Sequence, residues 1–149
     1  MDPSNRGAPA LPQLILRHSA QLTDRTVEQV RAQVPWYQDQ TPDVVRRMVN
    51  QDYQMLAQML QNTDVVTLRA YIEKTGLDRL QTGAQAENLI AVAALMEENV
   101  RRLIDTEMLA NPTLARDATR RVQSLIRNIR MILSGLNLRR LVGERPPPR

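Results

Sequence analysis

Cysteine and phenylalanine are absent from this chain of 149 residues, which also has a single Trp, a single His and, by inspection, a single Lys, Lys74. Lack of cysteine excludes disulfides, zinc-thiolate sites, iron-sulfur clusters and cysteine nucleophiles. It also fits a reducing compartment. One histidine cannot complete the paired Glu-x-x-His motifs of a di-iron bundle. One Trp and three Tyr are few aromatic side chains for a haem pocket. Gly76 and Gly83 lie in helical surroundings and form no phosphate-cradling loop. No apolar run approaches the roughly 18 residues of a membrane span, and Asp2, Pro3 and Pro9 break any secretory-signal pattern, so a cytoplasmic domain without a membrane span is expected. These absences point away from an enzyme. No catalytic, cofactor or metal residue is assigned.

What is present reads as helix. At this length a chain makes one domain and buries roughly 70% of its unfolded surface. Residues 1–12, with Pro3, Gly7, Pro9 and Pro12, form an expected arm. Leu11, Leu14, Ile15, His18, Leu22, Val27, Val30 and Val34 then recur at mostly helical steps until Pro35 ends the stretch. Thr41 before Pro42 is a cap followed by a proline start, and opens a second helix through Val45, Met48, Val49, Asp52, Leu56, Met59 and Leu60. Asp64 caps a third, which contains Gly76 and stops near Gly83. The internal glycine predicts either a break or a close backbone contact. Leu89, Ala93, Met96, Val100 and Leu103 mark the most apolar helix, the expected centre of the core. Asn111 and Pro112 open the last one. No segment alternates like a strand. The fold class expected is all-α, a single bundle of about five helices over residues 13–141 with a long C-terminal helix. A Pro-rich tail or linker stub follows at residues 142–149.

The last helix carries the sharpest signals. Ala115, Ala118, Val122, Leu125, Ile129, Ile132 and Leu136 alternate steps of three and four, the rhythm of a coiled-coil seam. Val122, Leu125, Ile129, Ile132 and Leu136 are the candidate homodimer seam. The same seam can instead pack inside one chain. On the opposite side Arg116, Arg120, Arg127 and Arg130 share a sector about 80° wide. From Arg116 onward nine Arg face only Asp117 and Glu144, a net +7, while the preceding residues sum to −3. That stripe could grip phosphates as a nucleic-acid or other polyanion site, or be a solvated face. A helix-turn-helix is not evident.

Other residues read first as structure. His18 lies on an apolar stripe and reads as a packing residue. Glu97, Glu98, Asp105 and Glu107 stand beside Arg101 and Arg102, which predicts i to i+4 pairs. Met48, Met55, Met59, Met96 and Met108 fill gaps in a core without Phe, or line a cavity for a small ligand, bordered by Met48, Met59 and Met96. Trp36 and Tyr37 sit where they would plug the bundle's end.

Residues 14–22, Leu-Ile-Leu-Arg-His-Ser-Ala-Gln-Leu, the corner Val34-Pro35-Trp36-Tyr37, the run Thr67-Leu68-Arg69-Ala70-Tyr71, and Arg79 four residues before Gly83 together resemble the N-terminal domain of RsbRD-type proteins, the sensory halves of RsbR-like stressosome co-antagonists. The resemblance spans roughly residues 11–140. It implies a non-catalytic regulatory domain in signal transduction that dimerises, contacts a protein partner, and is joined through its final helix to an output domain such as STAS. It brings no haem with it. On this reading the chain is either a fragment whose Pro-rich end begins a linker or a module that acts alone.

Overall fold

A computed structural model describes residues 10–62 and 64–143, with side chains to residue 136. Every regular element among them is an α-helix, in the order α1 Leu11–Arg17, α2 Ser19–Gln33, α3 Pro35–Gln38, α4 Pro42–Gln61, α5 Val65–Gln81, α6 Ala86–Glu107 and α7 Pro112–Gly143. The all-α class is as expected. The count rises from about five to seven because the first expected helix is broken at His18 and a short turn of helix fills the corner after Pro35. The expected arm overlaps α1. Its first nine residues lie outside the described residues, while Leu11 and Pro12 begin α1, where a proline forfeits no helical bond. At the other end α7 continues to Gly143, and residues 144–149 of the expected tail lie outside the described residues.

The helix ends follow their chemistry. Val34 is extended (φ −115°, ψ 108°), as a residue before proline must be, and this stops α2. Thr41 Oγ1 accepts the Val44 amide at 3.4 Å. Asp64 Oδ1 accepts the amides of Val66 and Thr67 at 3.0 and 3.3 Å, and its other oxygen takes the Thr67 hydroxyl at 2.6 Å. Those Thr67 bonds hold the Asp64 carboxyl below its usual range. Helix α5 runs unbroken through Gly76. It closes in a Schellman turn, with Ala84 N donating to Arg79 O (3.0 Å) and Gly83 N to Leu80 O (3.2 Å), and Gly83 supplies the required φ of +107°. Asn111 Oδ1 accepts the Leu114 amide at 3.1 Å and starts α7.

Helix α6 is the axis of the bundle, packed on α7, α2 and α1. The main core fills the space between α1, α2, α4, α6 and the first half of α7. Inside it Asn99 Nδ2 donates to Thr26 Oγ1 and Gln29 Oε1 at 2.9 and 2.7 Å, and Thr26 bonds Tyr53 at 2.6 Å. A second, smaller core gathers Leu80, Ala84, Leu89, Leu133 and Leu136 at the far end of α5. Helix α5 therefore meets the body chiefly through α7.

Candidate functional site

Between α5 and the body lies an apolar slot of about 60 Å³. Each helix contributes one face at helical spacing. Asp52, Met55, Leu56 and Met59 come from α4, Leu68, Tyr71, Ile72, Thr75, Gly76 and Arg79 from α5, and Leu89, Val92, Ala93 and Met96 from α6, while α7 adds Ile126, Ile129 and Leu133. Helix α5 packs chiefly on α7, and the slot lies beneath it, with methionines along its middle and an anchor in the C-terminal half of α5.

That anchor is polar. Arg79 grips Asp52 with both ends of its fork, Nη1 to Oδ2 and Nη2 to Oδ1, each at 3.0 Å, with the two side chains only 11% and 14% exposed. The Tyr71 hydroxyl donates to Asp52 Oδ1 at 3.2 Å, and Arg79 Nη1 also reaches the Tyr37 hydroxyl at 3.4 Å. Burial acts to lower the Arg79 pKa, but Asp52 and then Tyr37 outweigh it, and the guanidinium is held above its ordinary value. Burial, with the Asp52 charge added, pushes the Tyr71 phenol up. Tyr37 is pushed up to about 12, mostly by burial, with Arg79 acting against the shift. Next to it Trp36 meets Tyr37 edge-on (4.8 Å between centroids, 87°), and its indole N–H donates to Thr82 O at 3.2 Å. The Pro-Trp-Tyr corner thus ties α3 to the end of α5.

Met59 and Met96 border this slot. Met48 does not: it lies one turn beyond Asp52 on α4, on the far side of the ion pair, and packs against the main core. Met55, also among the expected methionines, lines the slot, whereas Met108 lies in the main core. Sequence reasoning put Asp52 on the apolar face of its helix without drawing the consequence that a carboxylate there needs a buried partner. Arg79, 27 residues away, carried no signal for that pairing.

The chain's own packing occupies part of the expected dimer seam. Val122 and Leu136 are 0% and 1% exposed within the chain's own core, Leu125 and Ile129 are half-buried against it, and Ile132 is half-buried. The buried face includes Ile126 and Leu133, which the seam omitted. On a straight helix the residues from Val122 to Leu136 span about 120°, wide enough to face both α6 and α5 at once. A two-helix seam is narrower.

Arg116, Arg120, Arg127 and Arg130 are all exposed, and none makes an ion pair among the described residues. Their neighbour Arg121 instead turns its Nη2 to the Leu60 carbonyl. His18 is no plain packing residue: it stands at the α1–α2 break, with Nδ1 3.2 Å from Gln21 Oε1 and Nε2 3.6 Å from Glu107 Oε1. Of the expected pairs along α6, Arg102–Glu98 forms at 3.0 Å. Tyr37 is fully buried and Trp36 half-buried at the corner. No helix among the described residues is long and apolar enough to cross a membrane. No family model, curated protein or solved structure matches this chain.

Proposed function

We propose that the protein is a non-catalytic sensory module in which α5 lies over the slot and reports its occupancy to a protein partner. The observation that carries this is the division of α5's packing. Of its residues only Leu68, Gly76 and Leu80 are buried, so the helix is fastened at its Gly76–Leu80 end, touches the body again at Leu68, and spans the slot in between. A segment with few buried contacts is among the first to open, and a ligand that binds one stance better shifts the population toward it. The first turn of α5 displays Val65 and Val66, 63% and 79% exposed, and these serve the partner contact. The likeness to RsbRD-type N-terminal domains supports a regulatory role of this kind. With Val122 and Leu136 inside the core, a second copy of the chain would meet the half-buried Leu125, Ile129 and Ile132 or some other face.

Xenon tests the coupling, because it enters apolar cavities without needing a polar contact. In buffer saturated with xenon, the amides of α5 should exchange with deuterium more slowly while α1 and α2 stay unchanged. Uniform slowing, or none, would remove the reading.

A second reading has its own observation, the four exposed arginines of α7 that make no ion pair among the described residues. An exposed stripe of that kind holds polyanions with steep salt dependence. Retention on immobilised heparin at low salt, lost when the four are replaced by Gln, would favour it. A wild-type protein that flows through would end it.

A further inference from the structure

Resting on the slot as a binding site, we infer that its ligand is a small neutral molecule with an apolar body of about four to six heavy atoms and a single hydrogen-bond donor at one end, an alcohol in its simplest form. The size follows from the volume. A water-sized sphere needs about 10–15 Å³, so the slot's 60 Å³ admits about four to six atoms in a row. Methionines at positions 55, 59 and 96 can reshape around such a body.

The head group follows from the count of lone pairs and protons at the polar end. An ionised carboxylate offers about four acceptor sites. On Asp52, Oδ1 takes Arg79 Nη2 and the Tyr71 hydroxyl, and Oδ2 takes Arg79 Nη1, which leaves one site on Oδ2. Tyr71 has already committed its proton, and its raised pKa keeps that proton in place. Unspent at this end are that acceptor site on Asp52 and the Arg79 N–H groups beyond the three bonds to Asp52 and Tyr37. A ligand O–H, which both donates and accepts, matches this end fully, whereas a ketone or ether, which only accepts, leaves the carboxylate site unused.

Charge is disfavoured from both sides. Asp52 and Arg79 neutralise each other, so a ligand carboxylate would compete with Asp52 for the guanidinium at close range to a like charge. A ligand ammonium would compete with Arg79 in the same way. Either would leave a buried ion without its partner.

Chain-matched probes on the wild-type protein, with the methionine methyl groups labelled for NMR, decide the matter: 1-pentanol, 2-pentanone, pentanoate, pentylammonium and n-pentane. The alcohol should shift the methyls of Met55, Met59 and Met96 saturably, leave Met48 unmoved, and bind roughly tenfold more tightly than the ketone or either ion, as one hydrogen bond to a charged acceptor implies. Equal or tighter binding of 2-pentanone, pentanoate or pentylammonium overturns the head-group assignment. So does equal binding of n-pentane, although the slot would then still stand as an apolar site. If no probe moves these methyls, the assignment and the sensory reading fall together.

Discussion

Gly76 of α5 is pressed against Leu136 of α7 so closely that a Cβ on the glycine would lie 2.7 Å from the leucine Cδ1, with Leu133 Cδ2 at 3.3 Å. A glycine inside a 17-residue helix is otherwise unfavourable, so its presence there is explained by the approach it permits. The contact sets how near α5 comes to α7, and through that the width of the slot that Gly76 also lines.

Substitution at Gly76 should therefore separate backbone propensity from packing. Gly76→Ala gains about 1 kcal/mol of helix propensity and loses about as much or slightly more to crowding, so its net effect is small because the Leu136 tip can swing. Gly76→Val has no such relief and should lose about 2–3 kcal/mol in urea unfolding, with α5 exchanging faster than the rest. A neutral or stabilising valine would show that the helices are not in contact there.

The Asp52–Arg79 pair should behave as a buried bridge. Asp52→Leu or Arg79→Leu alone strands a charge and should lose about 3–5 kcal/mol, whereas the double variant should recover much of the loss, since a buried pair is replaceable by apolar groups but intolerant of being halved. Additive losses in the double-mutant cycle would contradict the geometry.

How far the fold was readable follows from which signals are local. Thr41-Pro42, Asp64, Gly83 and Asn111-Pro112 act within a turn of themselves, and each marks a helix end where the structure has one. The α1–α2 break carries neither Gly nor Pro, and its visible determinants are the side-chain partners of His18, one of them, Glu107, at the end of α6. The slot was half legible. Met55, Met59 and Met96 could be named as candidate lining, but the polar end of the slot depends on a pairing between Asp52 and Arg79 that sequence distance hides. The seam was legible only in part, for a different reason. A three-four rhythm suits a two-helix contact, yet Ile126 and Leu133, each directly after a seam residue, widen the stripe into the face of an ordinary bundle helix.

Tyr37 and Tyr53 set an alkaline limit. Both phenols are raised from 10 to about 12, chiefly by burial, with Tyr53 eased slightly by its Thr26 and Asn99 bonds. Above pH 10 the unfolded chain sheds these protons while the folded chain keeps them, so stability falls as pH rises. The contribution is fully present below pH 10 and is lost between pH 10 and about 12, on the order of 2–3 kcal/mol per tyrosine. Urea melts from pH 9 to 12 should show the decline, to which the raised Tyr71 also contributes, and Tyr53→Phe should shrink it by about a third. A flat profile, or all phenolate absorbance appearing near pH 10 in the folded protein, would contradict the burial.

The rank order of truncations along α7 distinguishes a bundle helix from a pairing helix. Ile126 is 1% exposed and touches the main core, while Leu125, its neighbour on the expected seam, is only half-buried. If the helix serves its own chain, Ile126→Ala should lose about 2–5 kcal/mol, as deep aliphatic truncations do, and Leu125→Ala distinctly less. The melting temperature should also not depend on protein concentration, because no second copy enters the unfolding equilibrium through this face. If the seam instead joined two chains, the order would reverse: Leu125 would be the costlier loss, and dilution would lower the melting temperature. Measuring both variants at two concentrations tells these cases apart without a structure of any complex.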